Sequence, residues 1–272
     1  MRCLQQSLTR VNAWRDARSR CQRAGSTSAE AAGPAFPLAL KAIDVLLDDE
    51  QHQRSVRLTM PASENDVLDL YIERQQGDAD PFWCAVWPSS IALARFVFRH
   101  PHLVRGKRVI DVGCGLGLAG LGAALAGAAS VQLADREPLA LHCALLSAEQ
   151  NGLLSSKSLD KLGLVSAELL DWHNVPASMD ASFDVALCAD VLYDKAAAEP
   201  VAALAHRLLR PGGMLLLADP PSRTPKHRER MLGVLNMTQV IDERDTVMPA
   251  EGGPAVPVLL CAFTNNRTHP SK

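Results

Sequence analysis

Apolar and polar positions follow two periods along this chain, and the clearest stretch is residues 108–135, RVIDVGCGLGLAGLGAALAGAASVQLAD. A short β-branched run (Val109, Ile110, Val112) halts at glycines. An alanine- and leucine-rich segment follows, then a second apolar run that ends on Asp135. That succession predicts strand, tight turn, helix, strand, the first βαβ unit of an open parallel sheet. Downstream, residues 138–151 read as a helix with Pro138 in its first turn. Residues 162–168 read as a weak strand and 183–189 (FDVALCA) as a strong buried one. A helix over 200–209 stops at Arg210-Pro211-Gly212-Gly213. Residues 214–218 then read as a strand, 224–235 as a helix, and 240–241 and 256–263 as final strands. Upstream, residues 55–60 alternate like a strand. Ser63 is placed to cap a helix through Val67, Leu68, Tyr71 and Ile72, and Ser89 or Ser90 to cap one closing before Pro101. Alternating strands and helices predict an α/β fold, a doubly wound parallel sheet with helices on both faces.

Bulk composition narrows this only a little. The chain has 272 residues and a net charge of −2, which suits one large α/β domain and gives no basic signature for nucleic acid. Seven cysteines with no paired spacing read as reduced thiols, and eight histidines lack metal-ligand spacing, so no metal is expected. Residues 112–134 carry no charge and could cross a bilayer, yet six glycines and a strand-like entry and exit favour the strand–turn–helix unit. Residues 1–35 are arginine-rich, serine-containing and nearly acid-free, with no apolar core segment. They read as an organellar presequence, mitochondrial or chloroplast, with a disordered basic tail on a cytoplasmic protein as the alternative. Residues 36–79 then form an N-terminal extension and 80–265 the main domain.

The chemistry concentrates at predicted strand ends. Gly113, Gly115 and Gly117 would permit positive φ and close approach of a ligand to the backbone. The helix that follows offers unpaired N–H groups to a polar ligand. Asp135 is placed to accept hydrogen bonds from a ribose diol. Residues 115–120 (GLGLAG) also match the dinucleotide fingerprint GxGxxG. Asp111 tilts the choice: a carboxylate there suits the ammonium group of S-adenosylmethionine and would repel the pyrophosphate of NAD. Acids close five strands in succession, at Asp111, Asp135, Asp171, Asp190 and Asp219. Trp83 and Trp87 precede the 89–100 helix, and one of them is expected to wall an adenosyl site.

VIDVGCGLGLAG followed by LADREPLAL resembles motif I and the ribose-binding acid of class I, seven-strand S-adenosylmethionine-dependent methyltransferases. Asp190-Val191-Leu192-Tyr193 resembles the D-x-x-Y signature of the protein methyltransferases that mostly modify lysine. VWPSSIALA and Asp171-Trp172 resemble two further elements of that family. Within it, residues 80–113 and the LLLADPPSR stretch are most similar to the branch acting on the electron transfer flavoprotein β subunit. The resemblance implies a mostly parallel seven-stranded sheet, S-adenosyl-L-methionine as cofactor and a protein lysine as substrate. It implies that Trp87 and Trp172 flank the cofactor, and that Gly113, Cys114, Gly115 and Gly117 shape the loop under its methionine part. Asp135 would hold the ribose, Ala189 would line the pocket, and Asp190 and Tyr193 would face the lysine. Whether Asp190 is a base or an orienter stays open. The branch continues Asp-Pro with Gly-Arg, whereas Asp219-Pro220 is followed here by Pro221-Ser222-Arg223. Small-molecule or arginine methyl transfer, NAD-linked oxidoreduction and non-catalytic nucleotide binding are the rival functions.

Overall fold

A computed structural model describes residues 36–48, 54–76, 81–154, 164–192, 198–222, 224–233, 235–250 and 252–267. The stretch 1–35 and Tyr193 lie outside the described residues.

Seven strands form one sheet: β3 (Arg108–Val112), β4 (Ser130–Asp135), β5 (Leu164–Leu169), β6 (Phe183–Ala189), β7 (Leu209–Asp219), β8 (Met237–Val247) and β9 (Val256–Asn265). Their order is β5-β4-β3-β6-β7-β9-β8. The pairs from β5 to β7 are parallel, while β9 runs antiparallel to both β7 and β8. The expected mostly parallel, doubly wound architecture is therefore present. The chain steps outward from β3 to β5 and then returns to the other side of β3, which makes the carboxyl ends of β3 and β6 the switch point.

Strand side chains alternate between faces, and both faces are covered. Val109, Val131, Leu133, Val185, Leu187 and Leu216 join the core built by α2 (Pro88–Arg99), α3 (Leu118–Leu125) and α4 (Pro138–Gln150). Ile110, Val112, Ala186, Cys188, Leu215 and Leu217 join the opposite core with α5 (Ala198–Leu208) and α6 (Thr224–Gly233). Asp111 shares the parity of Val109, and Asp135 that of Leu133, so both acids stand on the face covered by α3.

The uncharged stretch 112–134 is the end of β3, a glycine turn, α3 and most of β4. Among the described residues no helix is long and apolar enough to cross a membrane. Gly122 sets the α2–α3 approach, since a Cβ there would lie 3.1 Å from both Cα and Cβ of Ala94.

The N-terminal stretch is more built-in than its mixed composition implies. β1 (Leu40–Leu46), which the sequence pattern does not mark, pairs antiparallel with β2 (Ser55–Pro61). Val45, Leu47, Val56 and Leu58 are buried in the same core as α2 and α3. The free edge of β2 is satisfied by α4: Asn151 accepts from the Arg57 N–H at 3.0 Å and donates to its carbonyl at 2.7 Å. Ser147 Oγ accepts from the Thr59 N–H at 2.8 Å. Next comes α1 (Glu64–Glu73), which buries Val67 and Tyr71.

Three local expectations need correction. Ser63 holds the N-cap position of α1 without a side-chain cap bond. The next helix starts at Pro88, with Trp87 as its N-cap, because proline's fixed φ suits the first helical position. Ser90 Oγ donates to the Trp87 carbonyl at 2.7 Å and Ser89 turns elsewhere, so neither serine caps. Finally, β7 begins at Leu209 rather than at 214. Its first pairing, Phe183 with Leu209, slips to Val185 with Met214, and that shift absorbs the Pro-Gly-Gly stretch inside the strand.

Candidate functional site

Beyond the carboxyl ends of β3, β4 and β6 lies a cleft of about 340 Å³, a size suited to a small organic ligand. Four of the five strand-end acids line it: Asp111, Asp135, Asp171 and Asp190. Asp219 ends β7 fully buried and is not part of the lining.

The floor is the glycine turn. Gly113, Gly115 and Gly117 have φ of +64°, +51° and +80°, a region costly to residues with a Cβ. Space enforces the choice too. A Cβ on Gly113 would lie 3.1 Å from Val191 and 3.2 Å from the Trp172 ring, and one on Gly115 3.3 Å from the Trp83 carbonyl. Cys114 lines the cleft between them, and burial holds its thiol protonated.

Asp111 is almost fully buried, with Oδ2 accepting the Gly120 N–H of α3 at 2.8 Å. Burial pushes its carboxyl up to about 7; the Gly120 bond opposes the rise and the nearby Asp135 charge adds to it. A desolvated carboxylate of this kind gains most from a cation brought in by a ligand. Asp135 accepts the Gly115 N–H through Oδ2 at 2.8 Å and the Glu137 N–H through Oδ1 at 2.9 Å. It therefore braces the glycine turn as well as facing the cleft.

The walls are aromatic and apolar. Trp172 sits against Gly113, held in place by the turn that Asp171 makes by accepting the His173 N–H at 2.9 Å. Opposite, Trp87 is partly exposed, donates Nε1–H to the Phe82 carbonyl at 3.0 Å and meets the Phe82 ring edge-on with centroids 6.4 Å apart. Ala189 and Asp190 close the side formed by β6.

Asp190 occupies a left-handed backbone position, φ +56°, which aspartate tolerates better than most residues. Its N–H donates to the Ala218 carbonyl at 2.9 Å. The buried Ser89 hydroxyl donates to its Oδ2 at 2.9 Å. Here is the partner that kept Ser89 from capping. The contact joins the WPSS segment to the DVLY segment across 101 positions, a link no local pattern could announce.

The structure thus brings Trp87, Asp111, Gly113, Cys114, Gly115, Asp135, Trp172, Ala189 and Asp190 to one cleft, with Gly117 just behind as the N-cap of α3. Sequence reasoning passed over Phe82, Leu116, Arg136, Glu137 and Val191, which also line it. Glu137 carried a signal of its own, as a second acid two residues beyond the tip of β4.

Over residues 64–229 the chain matches the sequence model of a family described as lysine methyltransferase. It is 32% identical over 146 residues to the electron transfer flavoprotein beta subunit lysine methyltransferase of Xenopus laevis, covering 53% of this chain and 54% of that one. To the protein of the same name in Danio rerio it is 30% identical over 146 residues, covering 52% and 50%. The chain spans about half the length of these curated relatives. Among solved structures, the branched-chain polyamine synthase of Thermus thermophilus, in complex with N4-aminopropylspermidine and 5′-methylthioadenosine, superposes with a TM-score of 0.52 at 14% identity. The match covers 76% of this chain and 66% of that one, and the likeness is one of fold.

Proposed function

The chain belongs to the lysine methyltransferase family, and from that premise we propose that it methylates a lysine ε-amine of a protein substrate with S-adenosyl-L-methionine. The observation that carries the reading is the pairing, in one cleft, of a buried carboxylate of raised pKa at Asp111 with a positive-φ glycine turn.

The residues present fit that cofactor. Asp111 would take the ammonium of its methionine part, the turn from Gly113 to Gly117 would lie beneath it, and the acidic tip of β4 would take the ribose. Trp172 would pack near the adenine and Trp87 would wall the side toward solvent. When bound, the cofactor supplies a methyl group already activated on a sulfonium sulfur. What falls to this chain is alignment, exclusion of water and delivery of a neutral amine. Presenting an uncharged lysine at pH 7 costs roughly 4 to 5 kcal/mol from its ordinary pKa. An apolar, aromatic channel past Phe82 and Trp87 lowers that cost by disfavouring the ammonium.

Asp190 acts in this reading as an orienter. Its Oδ2 already accepts the Ser89 hydroxyl and its backbone is fixed by Ala218, so the carboxylate presents one defined direction to the amine. Tyr193, three residues on, would complete the lysine-facing pair that the D-x-x-Y resemblance implies. Relatives named for the electron transfer flavoprotein β subunit support that protein as the substrate. The basic stretch 1–35 supports an organellar location.

The test is transfer of labelled methyl to purified electron transfer flavoprotein, with calorimetric titration of adenosylmethionine and NADH alongside. Label on the β subunit and binding of adenosylmethionine alone are expected. Label confined to small molecules or to arginine, or tight binding of NADH, would overturn the reading. Asp190→Ala should abolish transfer. Ser89→Ala should cut kcat/KM about tenfold, the worth of one charge-assisted hydrogen bond, while leaving adenosylmethionine affinity unchanged.

A further inference from the structure

We infer that the exposed aromatic corner of Phe82 and Trp87 holds a partly methylated lysine ammonium more firmly than an unmodified one, so that each transfer favours the next. The inference rests on the reading that the cleft methylates a protein lysine, and deepens it to the number of methyl groups added.

Pro81–Cys84 form a short 3-10 turn in which neighbouring side chains take opposite environments. Trp83 turns inward, and its indole N–H donates to the buried Tyr71 hydroxyl at 2.8 Å, which in turn donates to Glu137. Phe82 is left on the outside: it is 61% exposed and still lines the cleft. Trp87, at the end of the same segment, is 38% exposed and lines it too. Two large aromatic rings open together at the mouth of a cleft make an apolar patch suited to a ligand.

The corner is preformed. Trp87 Nε1–H donates to the Phe82 carbonyl at 3.0 Å, and the two rings meet at 70° with centroids 6.4 Å apart. Its place is set from both ends. The Trp83 carbonyl packs against Gly115, and two residues past Trp87 the Ser89 hydroxyl donates to Asp190 Oδ2 at 2.9 Å. The corner therefore stands between the glycine turn and the acid that orients the amine. Aromatic faces attract cations, most strongly those that water holds least, and methylated ammonium groups are the favoured case. In each round the amine nitrogen bonds to the methyl carbon, the S–C bond breaks with its electron pair left on sulfur, and one N–H proton passes to solvent. Mono- and dimethyl-lysine re-enter as ammonium ions with fewer N–H groups to hydrate, yet each keeps one for the Asp190 carboxylate.

The experiment uses electron transfer flavoprotein in excess over the full chain, with mono-, di- and trimethyl-lysine followed over time by mass spectrometry. Phe82→Leu keeps an apolar side chain and removes the ring face. It should raise the ratio of monomethyl to higher products about threefold, and Phe82→Tyr should restore the wild-type ratio. A second measurement needs no protein substrate. With S-adenosylhomocysteine held at saturation, choline and its uncharged isostere 3,3-dimethylbutan-1-ol are titrated and followed by NMR. The wild-type chain should bind choline about threefold more tightly, and Phe82→Leu should make the two alike. Equal binding by the wild-type chain, or a choline preference that survives Phe82→Leu, would overturn the inference. Transfer to lysine with a product ratio unmoved by Phe82→Leu would overturn it while leaving the methyltransferase reading standing. Absence of any transfer to lysine by the wild-type chain would remove both.

Discussion

Burial lifts the Asp111 carboxyl to about 7 from an ordinary 3.8, and the sign of that shift has measurable consequences. Between about pH 4 and 7 the native chain holds more protons at this position than the unfolded chain, so the residue makes stability fall as pH rises through that window. Asp111→Asn should flatten that slope, read from denaturant midpoints at pH 5 and 7.5. Ligand binding runs the other way. An incoming ammonium pairs with the ionised form, so adenosylmethionine should bind more tightly as pH rises from about 6 to 7, with net proton release. Calorimetry in two buffers of different ionisation enthalpy would detect that release, and its persistence in Asp111→Asn would contradict the assignment. At this scale the sequence was informative. Asp111, Gly113, Asp135 and Trp172 stand where strand ends put them, because a strand's last residues and the turn after it are fixed locally. Ser89, Tyr71 and Glu137 gave less away, since their partners lie 101 and 66 positions off.

Among the elements, α2 and α3 meet most closely where Gly122 faces Ala94, and both helices carry residues of the cleft or its support. Gly122→Val should force them apart and cost about 1–3 kcal/mol, as overpacking in a filled core does. The expected readout is a lower urea midpoint with an unchanged slope. The β-branched and apolar runs of β3, β4 and β6 were legible because a strand buried on both faces needs no polar alternation. β1 was not, since one face is largely exposed and its residues alternate weakly. The early start of β7 was hidden by its Pro-Gly-Gly stretch, which locally signals a stop and is overruled by pairing with Phe183.

For the molecule as a whole, the family match begins at residue 64, whereas the β1–β2 hairpin that precedes it already packs into the core. Val56 and Leu58 are wholly buried, and the β2 edge is bonded to α4. A chain starting at residue 64 should therefore lose cooperative unfolding in a calorimetric scan. Leu58→Ala in the full chain should cost about 2–5 kcal/mol. Retention of a sharp transition in the shortened chain would show the hairpin to be dispensable.

Three of the four tryptophans, Trp83, Trp87 and Trp172, face the same cleft, and the fourth, Trp14, lies in the N-terminal stretch. The protein thus carries a built-in optical gauge of occupancy. Stacking of a purine near Trp172 should quench intrinsic emission on titration with S-adenosylhomocysteine. Trp172→Phe should erase most of that signal, so ligand occupancy could be followed without any label.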